Sequence, residues 1–280
     1  MNTIVSTTWL AEHLTDAGIV IADTRWIHGD LDGGANLYRK GHIPGAVFLD
    51  LDIVLSDRSD LTRGRHPLPD PNEFAWKLSE RGINADSFIV AYDDAGGSVS
   101  ARLWWMMRWI GLNNAVVLDG GIPKWIAEGR LLETGNGPDT PTPSSPLQPR
   151  MNSALLAEMN DLEARRNGRL LIDARAGERY RGEVEPIDAR AGHIPGAINV
   201  PFSENLTNTD VPVFRGANEL RALYGRAGID NYNEVICYCG SGVTACHDLL
   251  ALCIAGYETA KLYTGSWSEW ICHHKVEVSA

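Results

Sequence analysis

The sequence has no long hydrophobic run and too little positive charge to balance its negative charge, and both deficits exclude classes of protein. No apolar stretch approaches the ~20 residues that a membrane-spanning helix requires. There are 25 Lys and Arg residues against 36 Asp and Glu, which gives a formal net charge of −11 at pH 7. Because an acidic surface repels phosphates, we expect neither a nucleic acid nor a membrane as the partner. A small molecule that binds in a local basic pocket is compatible with this composition.

Cysteine is also scarce, and its count is odd. The chain has 5 cysteines among 280 residues, which argues against a framework of disulfides and favours a reducing compartment. The first residues, MNTIVSTTWLAEHL, lack the cationic start and the long apolar stretch of a secretory signal. We therefore expect a cytoplasmic protein.

What the sequence does contain is a repeat of itself. The stretch KGHIPGAVFLDLD at residues 40–52 recurs as AGHIPGAINVPF at residues 191–202, and VIADTR at residues 20–25 recurs as LIDAR at residues 171–175. Two further blocks recur in the same order, at a shift of about 150 residues, which is far longer than the repeat of a solenoid protein. Each copy is therefore predicted to be a domain.

The two copies are separated by a segment rich in proline, serine and threonine. Its sequence, GNGPDTPTPSSPLQPR, favours neither a helix nor an inner strand and is typical of a semi-extended linker. We therefore predict a first domain over residues 1–134, a linker over residues 135–150 and a second domain over residues 151–280.

Each copy alternates strand patterns with helix patterns. GIVIAD and SFIVAY are short β-branched runs typical of buried strands, whereas the apolar residues of NEFAWKLSERG recur at the helical period. This alternation predicts an α/β fold in which each domain is a mostly parallel sheet flanked by helices. In open sheets of this kind, ligands bind beyond the carboxyl ends of the strands.

Cys239 lies at such a strand end, in the run ICYCGSGVTA. Gly240 and Gly242 allow successive backbone amides to converge on one anion, and a helix that starts near Val243 and Thr244 adds its partial positive charge. Such a setting favours a thiolate, so Cys239 is predicted to be a nucleophile rather than a core residue.

The remaining cysteines predict packing rather than chemistry. Cys237 lies on the same strand as Cys239, and Cys246 and Cys253 share one face of the following helix. The pair Cys237-x-Cys239 has no second ligand pair at zinc spacing. We therefore expect neither a metal nor a cofactor.

The first copy carries Asp93 at the position of Cys239, in the run YDDAGGSVSAR, and its loop is two residues longer. Carboxylates in place of the thiol oppose the binding of a further anion. The first copy is therefore expected to have lost the chemistry and kept the packing.

The duplicated GHIPGA blocks, the CGSGVTA loop and the closing YTGSWSEW resemble the two-domain rhodanese family of sulfurtransferases, over nearly the whole chain. The resemblance implies an inactive first domain and a catalytic second domain. It also implies that Cys239 takes a sulfane sulfur from a small-molecule donor, becomes a persulfide and passes the sulfur to a thiophilic acceptor. Cyanide, a small thiol and thioredoxin are the alternatives for that acceptor.

The loop also bears on the donor. Thiosulfate-specialised members of the family usually carry two basic residues directly after the cysteine, where this chain has Gly240 and Ser241. The loop thus resembles the 3-mercaptopyruvate branch, in which a serine, a histidine and an aspartate are proposed to handle protons. The matching residues here are Ser241, His66 and Asp52.

The resemblance further implies which arginines bind the donor's anionic group. Arg179 matches the family arginine, and a bidentate guanidinium suits a carboxylate or a sulfonate. A second arginine is usual in the 3-mercaptopyruvate branch, but this chain has Ile187 there, with Arg190 nearby as a substitute. This departure leaves mixed or thiosulfate activity open.

Two other classes of function are alternatives to a sulfurtransferase. A cysteine phosphatase on this fold requires an arginine six positions after the cysteine, where this chain has Ala245, so that class is rejected. A non-catalytic interaction protein is the remaining alternative, and the intact Cys239 loop argues against it.

Overall fold

The computed structural model describes residues 3–138, 147–163, 168–232, 234–274 and 276. Residues 139–146 of the predicted linker therefore lie outside the described residues. The chain forms two compact units. The first consists of Met1–Asp57, Leu68–Asn152 and Asn208–Val213, and the second of Arg58–Pro67, Ser153–Thr207 and Phe214–Ala280.

The units do not coincide with the two halves of the sequence. Arg58–Pro67 precedes the predicted linker and yet belongs to the second unit, whereas Asn208–Val213 follows the linker and belongs to the first. The domain limits derived from the repeat remain predictions.

The first unit contains a five-stranded parallel sheet with the strand order β1-β5-β4-β2-β3. Its strands are β1 (Ile4–Val5), β2 (Ile19–Asp23), β3 (Val47–Phe48), β4 (Phe88–Tyr92) and β5 (Ala115–Leu118). Its helices are α1 (Thr7–Glu12), α2 (Gly33–Lys40), α3 (Pro71–Ser79), α4 (Ser100–Trp109) and α5 (Gly121–Ala127).

The second unit repeats this sheet with the order β6-β10-β9-β7-β8, again all parallel. Its strands are β6 (Leu156–Ala157), β7 (Arg169–Asp173), β8 (Ile198–Asn199), β9 (Glu234–Tyr238) and β10 (Lys261–Tyr263). Its helices are α6 (Met159–Glu163), α7 (Gly177–Arg181), α8 (Ala217–Arg226), α9 (Ala245–Ile254) and α10 (Ser266–His273). The predicted fold class, two copies of a parallel α/β domain, is confirmed.

The two sheets also share their register and their buried ion pairs. Asp23 pairs with Tyr92 across β2 and β4, as Asp173 pairs with Tyr238 across β7 and β9. Arg25 contacts Asp23 at 2.6 Å, and Arg175 contacts Asp173 at 2.7 Å. Because these groups are buried, the pairs fix the carboxyl ends of β2 and β7 in the same way.

Apolar side chains fill the space between sheet and helices in each unit. The first core includes Tyr92, Val116 and Trp125, and the second includes Ile236 and Trp267, all nearly inaccessible to solvent. Among the described residues, no helix is long and apolar enough to cross a membrane.

Candidate active site

Cys239 follows the last residue of β9, the middle strand of the second sheet. Its side chain is buried, and both of its backbone groups are held by the start of α10. The amide of Cys239 donates to Oγ of Ser266 at 3.1 Å, and its carbonyl oxygen accepts from the amide of Trp267 at 2.9 Å. The backbone of Cys239 is therefore fixed by a segment distant in sequence.

The backbone of residues 240–244, the loop after Cys239, has two features of an anion-binding nest. Gly242 has φ +75°, and a methyl group built on it would lie 2.5 Å from the carbonyl oxygen of Thr264, so only glycine fits there. Four amides of the nest have no hydrogen-bond partner among the described residues: those of Gly240, Ser241, Val243 and Thr244. With α9 starting at Ala245, these donors suit a bound anion.

His66 and Ser241 meet beside this nest. The segment Arg58–Pro67 is anchored on the start of α10, because the amide of Arg65 donates to Oγ of Ser268 at 3.0 Å. Nδ1 of His66 then lies 2.7 Å from Oγ of Ser241. Both side chains are almost fully buried, with 6% and 5% exposed. A histidine and a serine at this distance can relay a proton.

Two arginines lie next to the nest and share one carboxylate. Arg179 donates to Glu185 from Nε at 3.1 Å and from Nη2 at 2.6 Å, and its Nη2 also contacts Asp188 at 3.2 Å. Nη1 of Arg65 forms an ion pair with the same Asp188. A methyl group built on Gly240 would lie 2.6 Å from Nη2 of Arg65 and 3.7 Å from Nη2 of Arg179.

Charge pairing also affects Glu185. Burial raises the pKa of its carboxyl, but the hydrogen bonds from Arg179 and from two backbone amides outweigh it, so the pKa lies below its usual range. Glu185 therefore stays negatively charged at neutral pH and keeps the guanidinium of Arg179 in place.

Asp52 and Arg190 have other contacts. Asp52 belongs to the first unit, where its Oδ2 accepts a hydrogen bond from the indole of Trp26 at 2.9 Å. Arg190 is exposed, and its Nη1 contacts the carbonyl oxygen of His274 at 3.4 Å. The part of Asp52 in proton handling and that of Arg190 in donor binding stay predictions.

The other cysteines differ from Cys239 in their surroundings. Cys237 is completely buried, and this burial, reinforced by the nearby Asp248, raises the pKa of its thiol well above the usual range. Cys246 is buried, and its Sγ donates to the carbonyl oxygen of Gly242 at 3.4 Å. The thiols of Cys237 and Cys246 are therefore packing groups, as the sequence predicted. In the described part of the chain, no three His, Cys, Asp or Glu side chains are grouped as metal ligands.

The comparisons with known proteins agree with this geometry. The model of the rhodanese-like domain matches the chain twice, at residues 6–128 and 153–272. This chain belongs to the rhodanese family. The predicted resemblance, over nearly the whole chain and in two copies, is confirmed.

Relatives of this rhodanese-family chain carry two different donor names. It is 44% identical to the probable 3-mercaptopyruvate sulfurtransferase of Pseudomonas aeruginosa, over 94% of this chain and 92% of that protein. It is 42% identical to the putative thiosulfate sulfurtransferase SseB of Mycobacterium tuberculosis, over 90% and 87% of the two chains. The crystal structure of SseA from Escherichia coli, titled as a 3-mercaptopyruvate sulfotransferase with the rhodanese fold, matches with a TM-score of 0.80 at 35% identity and covers 95% of this chain and 99% of that one.

In the first rhodanese-like copy, Asp93 stands where the second copy has Cys239. Its buried carboxylate accepts hydrogen bonds from four amides of its own loop and from one hydroxyl, at 2.8–3.1 Å. The donors are the amides of Ala95, Gly97, Val99 and Ser100 and Oγ of Ser100. The nest of the first copy is therefore occupied by a side chain of the same loop.

The sequence alone did not identify two residues of this rhodanese site. Arg65 precedes His66 in the run RHPLP, where it resembles any surface arginine, and only the anchoring of its segment brings it to Gly240. Ser266 lies within YTGSWSEW, and its hydrogen bond to the amide of Cys239 has no local signal in the sequence. Both depend on contacts between residues far apart in the chain.

Proposed function

We propose that Cys239 carries a sulfane sulfur from 3-mercaptopyruvate to a thiophilic acceptor. That the chain is a sulfurtransferase is confirmed by the relatives named above, all of them rhodanese-family enzymes of that class. The observation that carries the proposal is the open nest after Cys239, in which four backbone amides have no hydrogen-bond partner among the described residues.

In the first half of the reaction, the Cys239 thiolate attacks the sulfur of the donor. A bond forms between the two sulfur atoms, the bond between the donor sulfur and its carbon breaks, and the electron pair moves onto that carbon as the enolate of pyruvate. The proton of the donor thiol ends on this carbon. The hydroxyl of Ser241 with His66 at 2.7 Å provides a relay for it.

In the second half, the acceptor attacks the outer sulfur of the persulfide. The bond between the two sulfur atoms breaks, and its electron pair returns to Sγ of Cys239, which restores the thiolate. Between the two halves, the nest amides would hold the persulfide anion by charge-assisted hydrogen bonds. Donor and acceptor are thus small molecules, with a protein thiol such as thioredoxin as the alternative acceptor.

The choice of donor rests on the loop. Positions 240 and 241 are glycine and serine, so the loop itself brings no cation to a dianionic donor. The hydroxyl of Ser241, which has His66 as its partner at 2.7 Å, would instead polarise the carbonyl of a keto acid. Thiosulfate is the second candidate, because Arg65 and Arg179 lie against Gly240 and a sulfonate binds guanidinium groups well.

The test compares three proteins: the wild type, Cys239→Ser and, as matched control, Cys272→Ser at an exposed thiol. Each is treated with 3-mercaptopyruvate and analysed by intact mass and peptide mapping. We expect one added sulfur on Cys239 in the wild type and in the control, and none in Cys239→Ser. Turnover that survives in Cys239→Ser would contradict the assignment of the nucleophile.

The donor is tested separately by kcat/KM in the wild type. We expect 3-mercaptopyruvate to exceed thiosulfate. The reverse order would overturn the donor assignment and leave the persulfide of Cys239 in place.

A further inference from the structure

We propose that Ser268 is a positioning residue, which holds Ser241 and His66 at the distance over which they relay a proton. The inference rests on the proposed function, because the relay serves the reaction with a keto acid described above. It is carried by two hydrogen bonds of Ser268, by the close approach of Gly64 to α10 and by a comparison with the first copy.

The first step is the backbone amide of Ser268, which lies in the first turn of α10. This amide donates to the carbonyl oxygen of Gly240 at 2.9 Å. Because the peptide bond is planar, this hydrogen bond fixes the whole peptide group that joins Gly240 to Ser241. The backbone position from which the Ser241 side chain projects is therefore set by Ser268.

The second step is the hydroxyl of the same serine, which is buried. Oγ of Ser268 accepts from the amide of Arg65 at 3.0 Å and donates to the carbonyl oxygen of Gly265 at 3.2 Å. Arg65 directly precedes His66, whose Nδ1 lies 2.7 Å from Oγ of Ser241. One serine is thus bonded to the residue that precedes each partner of the relay.

The third step is how closely the segment Arg58–Pro67 approaches α10. Gly64 has φ +107°, and a methyl group built on it would lie 2.8 Å from the carbonyl oxygen of Gly265 and 3.2 Å from Oγ of Ser268. A side chain at residue 64 would therefore push the segment away from the helix. Glycine at this position allows the hydroxyl of Ser268 to reach the next amide of the segment.

The fourth step is a comparison with the first copy, in which α5 matches α10. The amide of Trp267 donates to the carbonyl oxygen of the first residue of the nest loop at 2.9 Å, and the amide of Ile122 does the same in the first copy at 3.1 Å. This bond is common to both copies and belongs to the fold. At the next position the first copy has Pro123, which has neither an amide hydrogen nor a hydroxyl. Of the two copies, only the one with the nucleophile can therefore form the anchor made by Ser268.

The experiment measures kcat and KM for 3-mercaptopyruvate in Ser268→Ala, Ser268→Pro and Ser268→Thr. Ser268→Ala removes the hydroxyl, and Ser268→Pro, which reproduces the residue of the first copy, also removes the amide. We expect kcat to fall about 10-fold in Ser268→Ala and about 100-fold in Ser268→Pro, because a misplacement of about 1 Å can cost that much, whereas KM should change little. Ser268→Thr keeps both groups and should be the least affected of the three. The exposed Ser203→Ala is the matched control and should have the kcat of the wild type.

A double-mutant cycle separates positioning from a general loss of structure, so Ser268→Ala is also made in the His66→Ala protein. If Ser268 acts through His66, the second substitution should lower kcat by less than about 2-fold in that background. Equal losses in both backgrounds would overturn the role of Ser268. Alkylation of Cys239 by iodoacetamide needs no relay and should keep its wild-type rate in Ser268→Ala. A slower alkylation would place the effect on the nucleophile and contradict the proposal.

One further measurement needs no turnover and separates this proposal from the proposed function. Heteronuclear NMR of protein with isotope-labelled histidine reports the hydrogen bonding of the His66 imidazole, whose signal is assigned by its loss in His66→Ala. We expect this signal to shift in Ser268→Ala and to stay in place in Ser203→Ala. An unmoved signal in Ser268→Ala would overturn the positioning role even if sulfur is transferred.

The two proposals can therefore fail separately. A wild type that loads no sulfur on Cys239 would overturn the proposed function, while the NMR comparison would still decide on Ser268. If Ser268→Pro fails to fold, Ser268→Ala decides by the same readouts.

Discussion

The loops that follow β4 and β9, the middle strands of the two sheets, both present a set of backbone amides, but these amides have different partners. After β4, the carboxylate of Asp93 accepts hydrogen bonds from four amides of its own loop. After β9, Cys239 takes the place of the aspartate, and four amides of its loop have no partner among the described residues. The first nest is filled by a side chain of the fold, whereas among the described residues no acceptor fills the second.

The two loops show how one copy of a duplicated domain can lose chemistry that the other keeps. The sequence suggested that carboxylates in the first loop merely repel an anion. The structure gives a more specific reason: Asp93 itself is the anion of that nest, and the two extra residues of its loop let the backbone wrap around it. Filling the nest satisfies buried amides and adds stability, whereas the amides of the second nest that have no partner among the described residues lack this contribution.

The largest expected effect comes from emptying the first nest. Asp93→Ala removes the acceptor of five hydrogen bonds and leaves buried amides unsatisfied, so we expect the free energy of unfolding to fall by about 3 kcal/mol or more. Urea unfolding measures it. The adjacent and exposed Asp94→Ala is the matched control and should cost far less. A loss in Asp93→Ala no greater than that of the control would show that the carboxylate does not hold the loop.

The sequence predicted the fold that the two copies share, but it did not predict the contacts between segments that are distant in the chain. Strand and helix patterns recur with the blocks, so the parallel α/β fold followed from local signals. The nest at Gly240 and Gly242 was also predicted, because glycines directly after a buried strand have few other uses. Arg65 and Ser266 were not, since their roles arise only when Arg58–Pro67 and the start of α10 are brought to the loop. No local pattern encodes such contacts.

The next effect concerns the hydrogen bond that ties Cys239 to the start of α10, the last helix of the second unit. Ser266 has φ +53°, the only positive φ of a described non-glycine residue, and Gly121 has the same φ in the first unit. Oγ of Ser266 accepts from the amide of Cys239 at 3.1 Å and donates to the carbonyl oxygen of Tyr263 at 2.9 Å. The serine therefore keeps a strained backbone in order to fix the nucleophile.

Two substitutions separate the strain from the hydrogen bond. Ser266→Gly removes both, so we expect its stability to stay near that of the wild type, whereas Ser266→Ala keeps the strain and should be about 1 kcal/mol less stable than Ser266→Gly. Both release the amide of Cys239 and should lower kcat to a similar extent. Thermal unfolding and donor kinetics are measured side by side. Wild-type kcat in Ser266→Gly would show that the tether does not position Cys239.

The smallest expected effect concerns the helix that follows each nest. α9 buries Asp248 completely, where the matching position of α4 holds the buried Trp104. Burial raises the pKa of the Asp248 carboxyl well above its usual range, although Asn205 donates to its Oδ1 at 2.8 Å. In the unfolded chain this carboxyl ionises at its ordinary pKa. Between that value and the higher folded pKa, the unfolded state binds fewer protons than the folded state. The free energy of unfolding therefore falls as pH rises over this window.

Asp248→Asn removes this contribution to the pH dependence of stability, because a side-chain amide cannot ionise. The amide still offers an oxygen that can accept the hydrogen bond from Asn205. We expect its stability to depend less on pH than that of the wild type, with a gain of about 2–4 °C in Tm relative to the wild type between pH 5 and pH 8. Calorimetric scans across this range measure it, with the exposed Asp210→Asn as control. Parallel profiles for wild type and Asp248→Asn would mean that the buried carboxyl carries no such penalty. In that case Trp104 of α4 and Asp248 of α9 would differ only in how they pack, and not in their effect on the pH dependence of stability.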